Sequence, residues 1–295
     1  MPDLSVIVPV YNESAAIGAV LDELHGVLDA APEVEAFEIL VVDDGSTDGT
    51  ADAVRSAAER APSVRLVARE RNRGYGAAIK HGLQHAAHGL VAIIDGDGTY
   101  PPDAIPKLLA EMGDAAMVVG ARQPGQGVPA IRRPAKWVLR TLASYLAEEP
   151  IPDLNSGLRI FRKDACLRYF RLLPSRFSFT TTITLAMLCD ELDVCYVPIA
   201  YRQRQGRSKI RPIRDTLGFL MLIAQTVTYF RPLKVLGPLA LAVFLAGAIK
   251  GTCDLLIHDP TTGGPNLKTS DLLLLVAGIQ LFALGLLADL VCKRR

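Results

Sequence analysis

Two apolar stretches, Val235 to Ile257 and Leu272 to Val291, constrain this chain more than any other feature. Each is long enough to cross about 30 Å of hydrocarbon at roughly 1.5 Å per residue, and both read as transmembrane helices. Thr216 to Phe230 is apolar too. As a helix it reaches only about 22 Å, so it is expected to lie at the membrane interface and lead into the first span. Charge sets the orientation. Arg231 and Lys234 precede the first span, "KRR" follows the second, and the connecting loop carries only Lys268 as a basic residue. Both ends are therefore expected in the cytoplasm. Lys250 and Asp254 stand i,i+4 inside the first span. Charges are expensive there, and a bundle or oligomer contact is expected to hold them.

The residues before about 210 have a different character. The chain has 295 residues, half of them hydrophobic, and a net charge of +1, which leaves room for a soluble domain with a substantial core ahead of the spans. The opening "MPDLSVIVPVYNE" turns polar too soon for a secretory signal and reads as a first buried strand. Five cysteines, Cys166, Cys189, Cys195, Cys253 and Cys292, lack CxxC spacing. They are expected to be reduced structural thiols.

Short β-branched runs alternate with helical patterns: "LSVIVPV", Ile17 to Leu28, "FEILVVDD", Thr50 to Arg60, "VRLVA", Ala77 to Ala87, "LVAIID", and later "AAMVVGAR" and "VCYVPIAYR". Strands separated by helices imply βαβ units, right-handed crossovers and a mostly parallel sheet in an α/β domain. Near-continuous apolar strands such as "EILVV" fit a sheet covered on both faces.

In such sheets ligands bind beyond the carboxyl ends of the strands. Three polar clusters fall there: Pro9 to Glu13, Asp43 to Ser46, and Asp95 to Asp97. Each alone is compatible with turn chemistry, and Ser46 or Thr47 is a candidate N-cap for the helix after "DDGSTDGT". The chain lacks the GxxxxGK[ST] phosphate loop, and "GYGAAIKHG" fails the dinucleotide fingerprint because Ile79 stands where glycine or alanine belongs. Neither an ATPase nor a dehydrogenase is supported. His81 and His85 share a helical face but have no third ligand, so they read as an exposed face.

Taken together, "VPVYNE", "DDGSTDGT", "NRGYGAAIKHG" and "DGDGTYPPD" resemble the family-2 glycosyltransferases, with the motifs in that family's order. The resemblance implies a nucleotide-diphosphosugar transferase fold, Rossmann-like, over nearly all of residues 4 to 210. It implies a donor pocket drawing on Pro9, Tyr11, Glu13, Asp43, Asp44, Gly74 and Lys80, and a D-x-D site for Mg2+ or Mn2+ at Asp95 and Asp97 around Gly96. Alternate residues of an extended segment point to opposite sides. Two carboxylates one apart therefore need a turn, which Gly96 and Gly98 permit. Asp97 is expected as the direct metal ligand, with Asp95 reaching the ribose and base side or the metal through water.

"NSGLRIFRK" and "YRQRQGRSKIRP" are similar to the polyprenyl-phosphate branch of that family, the dolichol-phosphate mannosyltransferase and undecaprenyl-phosphate sugar transferase group. The branch's R-x-G-x-S-K appears as Arg204, Gly206, Ser208 and Lys209, with Gln203 where an acid often stands. Arg204 and Lys209 are expected at the donor, and Ser208, Ser156, Arg122 and Arg133, or its neighbour Arg132, at the acceptor phosphate. The basic run from Arg202 to Arg214 precedes the apolar tract, and anionic lipid attracts such a run by about 1 kcal/mol per basic residue. Asp153 is a candidate general base or, alternatively, a group that orients an arginine.

The expected architecture is a cytosolic glycosyltransferase domain over 1–212, an interfacial helix over 213–230 and a membrane domain over 231–295. The expected reaction is inverting transfer of a hexose from a nucleotide-diphosphosugar to a polyprenyl phosphate, with GDP-mannose favoured over UDP-glucose. A phosphate acceptor needs no strong base. Membrane lipid and a homo-oligomer are expected as partners, and nucleic acid is not. Two other readings are weighed. A processive polysaccharide synthase lacks support because no Q-x-x-R-W motif is present. A non-catalytic scaffold retaining the fold is opposed by the intact Asp44, Asp95 and Asp97.

Overall fold

A computed structural model describes residues 2–123, 133–175, 178–202, 212–256 and 267–292. The chain divides into two compact units, residues 1–222 and 223–295. The first is built on seven strands: β1 (Leu4–Val10), β2 (Phe37–Asp43), β3 (Val64–Ala68), β4 (Leu90–Ile93), β5 (Met117–Arg122), β6 (Arg159–Arg162) and β7 (Val194–Ile199). The helices between them are α1 (Ile17–Asp29), α2 (Thr50–Arg60), α3 (Tyr75–His85), α4 (Ala104–Ala110), α5 (Arg133–Ala147), α6 (Lys163–Arg168) and α7 (Phe179–Cys189).

The strand order is β3-β2-β1-β4-β6-β5-β7. All pairings are parallel except those of β6, which runs antiparallel to both β4 and β5. Every residue of β1 is buried, as expected for a central strand with helices on both faces. On one of those faces α1 contributes Ile17, Leu21, Leu24 and Leu28 at helical spacing. The other elements close the same core around Val41, Ile105, Leu108 and Ile160.

Local expectations hold in most places. The α2 helix spans the anticipated residues, and α1 ends one residue later than expected. The α3 helix starts two residues early, at Tyr75, and stops at His85 because Ala86 is extended. Neither Ser46 nor Thr47 caps α2. Gly49 holds the cap position, and the Asp48 carboxylate accepts from the Thr50 backbone N–H and hydroxyl instead. The β6, α5, α6 and α7 elements arise where no element was expected. In α7 every residue is buried, including Thr180, Thr181, Thr182 and Thr184.

The second unit holds the end of α8 (Pro212–Phe230) and two long helices, α9 (Pro232–Leu256) and α10 (Thr269–Cys292). Both long helices start about three residues before the expected spans and are long and apolar enough to cross a membrane. They meet through small residues. A Cβ on Gly278 would stand 2.8 Å from the Phe244 backbone nitrogen, and one on Gly247 would stand 2.9 Å from that of Leu275. Backbones approach this closely only where side chains are absent. Lys250 pairs with Asp254 at 2.8 Å, as its spacing suggested, and also with Asp271 of α10 at 2.5 Å. The charge is thus answered within the hairpin.

Candidate active site

The parallel register brings three loops to one edge of the sheet. Val10 lies across from Asp43 and Ile7 from Ile93, so β1, β2 and β4 all deliver their polar clusters past their carboxyl ends together. The loops after β1 and β2 are stitched to each other. The Asn12 N–H donates to the Ser46 hydroxyl at 2.9 Å, and the Thr47 N–H returns a bond to Asn12 Oδ1 at 2.9 Å. Glu13 N–H donates to the Thr50 hydroxyl at 3.0 Å, and Ser14 N–H to Asp48 at 3.3 Å. Pro9 and Tyr11 sit on the β1 side of this double loop, Pro9 buried and Tyr11 half-buried.

Asp43 and Asp44, expected along the donor pocket, are both nearly inaccessible. Asp43 accepts from the backbone and the hydroxyl of Ser46, at 2.9 and 2.5 Å. Asp44 accepts from Arg69 at 3.0 Å and from the N–H groups of Arg73 and Gly74, the latter at 2.7 Å. It therefore sits at the amino end of α3, where helix dipole and unpaired N–H groups favour an anion. Its bonds tie the end of β2 to the start of α3. Lys80 donates to the Leu173 carbonyl at 3.1 Å and stands over the Phe170 ring, which turns it toward the protein. Of the two helical histidines, His85 is exposed and His81 half-buried, with their rings edge to face at 4.5 Å. Burial, and then the neighbouring His85, lower the His81 pKa.

Asp95 and Asp97 are both partly open at this edge. Gly98 at φ +73° supplies the expected turn between β4 and α4. Asp97 Oδ1 accepts from the Thr99 N–H at 3.2 Å and hydroxyl at 2.6 Å, which fixes its rotamer. Asp95 Oδ1 accepts from the Tyr75 hydroxyl at 2.9 Å. Burial raises the Tyr75 pKa and the charge of Asp95 raises it further, so the hydroxyl remains a donor. Hard oxygen donors of this kind suit Mg2+ or Mn2+, which commonly complete their shell with phosphate and water. Among the described residues no cluster of three or more His, Cys, Asp or Glu side chains offers a metal site made of protein alone.

Arg122, at the end of β5, meets Asp153 in a two-point ion pair. The Asp153 carboxylate also accepts from the backbone of Arg122 and Asn155. This is the arginine-orienting arrangement. Two of the guanidinium's five N–H groups are committed to Asp153, and the Tyr201 ring packs 5.3 Å away. Burial opposes the charge on Arg122, but the bonds from Asp153 outweigh it and hold the guanidinium pKa well above the ordinary arginine value. Ser156, expected at an acceptor phosphate, is wholly buried and donates to the Gly120 carbonyl at 2.5 Å, so it shapes the edge of β5 and does not face a ligand. Arg204, Ser208 and Lys209 lie outside the described residues, as does the Arg133 side chain.

Sequence reasoning missed Asn12, Ser46 and Asp48 as loop stitches, Tyr75 as the partner of Asp95, and Arg159. For Tyr75 the signal was its place directly after Gly74, as the first residue of the helix that follows the motif glycine.

Residues 5–170 match the glycosyl transferase family 2, and residues 231–293 match the GtrB C-terminal hairpin. With α9 and α10 this makes the chain a membrane protein. An undecaprenyl-phosphate 4-deoxy-4-formamido-L-arabinose transferase of Pseudomonas aeruginosa is 30% identical, over 97% of this chain and 84% of that one. A dolichyl-phosphate beta-glucosyltransferase of Trichomonas vaginalis is 30% identical, over 76% and 71%. The low-salt glycan biosynthesis hexosyltransferase of Haloferax volcanii is 27% identical, over 96% and 68%. The fold is shared with glucosyl-3-phosphoglycerate synthase from Mycobacterium tuberculosis, solved with Mn2+ and UDP, at a TM-score of 0.59 and 23% identity over 77% of this chain and 79% of that one. Since the first of these matches spans more than half of the chain and carries every motif of the sheet edge, the protein belongs to glycosyl transferase family 2.

Proposed function

We propose that this enzyme moves a hexose from a nucleotide-diphosphosugar to a polyprenyl phosphate, with inversion, on the cytoplasmic side of a membrane. The observation that carries the reading is the placement of Asp95 and Asp97 on the same sheet edge as the stitched β1 and β2 loops, in a chain that also bears two membrane-length helices. Relatives named for undecaprenyl and dolichyl phosphate support the acceptor class. Their sugars are a formamido-arabinose and glucose, so the lean toward mannose finds no support among them.

The acceptor phosphate is largely dianionic at neutral pH, with a second pKa of about 6. One of its oxygens forms the new bond to the anomeric carbon as the bond from that carbon to the diphosphate oxygen breaks. No strong base is required, which agrees with an Asp153 engaged by Arg122 and by the Asn155 N–H. A divalent ion held at Asp95 and Asp97 would neutralise the charge that grows on the leaving diphosphate. Arg122, fixed by Asp153 and Tyr201, presents its remaining N–H groups to a phosphate, for which the guanidinium fork is suited. The Tyr75 hydroxyl holds Asp95 in one orientation. The positive charges before α9 and after α10 favour a topology with both chain ends on the cytoplasmic side.

The test is to incubate membranes containing the protein with a panel of labelled nucleotide sugars and either undecaprenyl or dolichyl phosphate, then extract lipid. A labelled lipid monophosphosugar formed only with divalent cation is expected. Full activity in excess chelator, or label only in water-soluble products, would overturn the reading.

A further inference from the structure

Arg159 stands at the start of β6, wholly buried, and among the described residues no carboxylate is one of its hydrogen-bond partners. Its Nη1 donates to the Thr180 carbonyl at 3.0 Å and to the Thr184 hydroxyl at 3.1 Å, both on α7. Its Nη2 donates to the Ser156 carbonyl at 2.5 Å, while its buried Nε has no partner among the described residues. Burial lowers its pKa from the ordinary arginine value. A guanidinium held this way is expensive, and a hydrophobic side chain would fill the same space at lower cost.

What Arg159 braces is the turn from Asp153 to Gly157. One end of that turn carries Asp153, which holds Arg122. At the other end Gly157 backs directly onto Asp95. A Cβ there would fall 2.7 Å from Asp95 Cγ, so only glycine leaves the carboxylate where it is. Three further bonds pin the turn: Ser156 hydroxyl to Gly120 carbonyl at 2.5 Å, Gly157 N–H to the Tyr100 hydroxyl at 2.8 Å, and Thr181 hydroxyl to Asn155 at 2.5 Å. The same five residues thus touch both halves of the candidate site. The fully buried threonines of α7 supply the polar surface on which Arg159 rests.

We propose that Arg159 is a positioning residue: by tying the Ser156 carbonyl to α7 it sets the Arg122–Asp153 pair and Asp95 in register with each other, and so aligns acceptor phosphate with donor diphosphate. This rests on the functional reading above. Lysine cannot reproduce the brace, because one ammonium cannot reach the Ser156 carbonyl and both acceptors on α7 with the geometry of a planar fork.

The test compares Arg159→Lys and Thr184→Val with wild type for transfer to polyprenyl phosphate, for hydrolysis of the nucleotide sugar by water, and for thermal unfolding. Misalignment harms the two-substrate reaction selectively, whereas a loss of folded protein reduces both in proportion. Arg159→Lys is expected to lower transfer about tenfold or more while hydrolysis changes by less than about twofold. Thr184→Val keeps the arginine, serves if the lysine variant does not fold, and is expected to shift the ratio the same way by about threefold. Equal losses of transfer and hydrolysis, or ratios like wild type in both variants, would overturn the inference. Wild type run alongside separates the two claims. No lipid-linked product from wild type removes the functional reading and this inference with it, whereas product from wild type with unchanged ratios in the variants removes only the inference.

Discussion

The guanidinium of Arg122 meets the carboxylate of Asp153 edge to edge, Nε on Oδ2 at 2.6 Å and Nη2 on Oδ1 at 2.8 Å. Both side chains are largely buried, at 14% and 9% exposure, so the pair is shielded from salt and each member depends on the other. Asp153→Ala leaves a buried cation unanswered, which costs about 3–5 kcal/mol. Urea unfolding of the first unit, followed within the whole chain, should report that loss. Asp153→Asn should reduce transfer strongly without altering the shape of its pH profile, because the carboxylate orients an arginine. A lost acid limb in that variant would restore Asp153 as the general base.

Asp97 has a different dependence. Its Oδ1 accepts from the Thr99 N–H and hydroxyl, and it lies partly open at a turn outside the core. Asp97→Ala should abolish transfer at every Mg2+ or Mn2+ concentration, while stability falls by only about 1 kcal/mol. Activity assays across a metal titration, with circular dichroism on the same sample, check both halves. Near-normal transfer would remove Asp97 from the metal site.

Acid sensitivity should enter through Asp48. The Thr50 hydroxyl, foremost among its hydrogen-bond donors, pulls the Asp48 carboxyl down to about 2. A folded pKa below the unfolded value means stabilisation that is present above about pH 4 and lost as pH falls toward 2. The stability difference between wild type and Asp48→Ala should therefore shrink across that window. A difference that stays constant from pH 5 to pH 2 would show that Asp48 acts only through its shape.

Much of the site was legible because its residues sit where strand ends meet loops. Asp95, Asp97, Tyr11 and Glu13 follow runs of buried β-branched residues, and the parallel register does the rest. The antiparallel β6 was not legible. Four residues, "RIFR", buried on both faces, show no alternation, and nothing local distinguishes a strand that enters the sheet backwards. Nor was α7, whose "TTTIT" reads as a polar surface until Arg159 and Asn155 supply partners for its hydroxyl and carbonyl groups. Asp44 and Ser156 were recognised as motif residues, yet their bonds run to backbone groups far away in sequence, which spacing cannot reveal.

Cysteine reactivity should divide along burial. Cys166 is fully buried, and desolvation pushes its thiol up to about 12, so at pH 8 only about one molecule in ten thousand carries the thiolate. Cys195 is exposed on β7. Iodoacetamide should modify Cys195 in the native protein and Cys166 only as fast as the domain unfolds. Peptide mapping against time, with and without urea, gives both rates, and rapid native labelling of Cys166 would contradict the packing of α6 on the sheet.

In the hairpin, Lys250 answers two carboxylates at once, Asp254 on its own helix and Asp271 on the next, and Asp271 is fully buried. Lys268 reaches Asp254 from the other side at 3.2 Å, so two cations and two anions form one neutral cluster. Removing one charge from such a cluster is worse than removing a matched pair, because the survivor is left in an apolar setting without its partner. Lys250→Met should lower the melting temperature of the detergent-solubilised protein more than Lys250→Met combined with Asp271→Asn. The four members of that double-mutant cycle isolate the coupling between the residues. A double variant as unstable as the sum of the single ones would mean that the two charges do not sense each other, and that packing at the small residues, such as Gly247, Gly251, Gly278 and Gly285, holds α9 to α10.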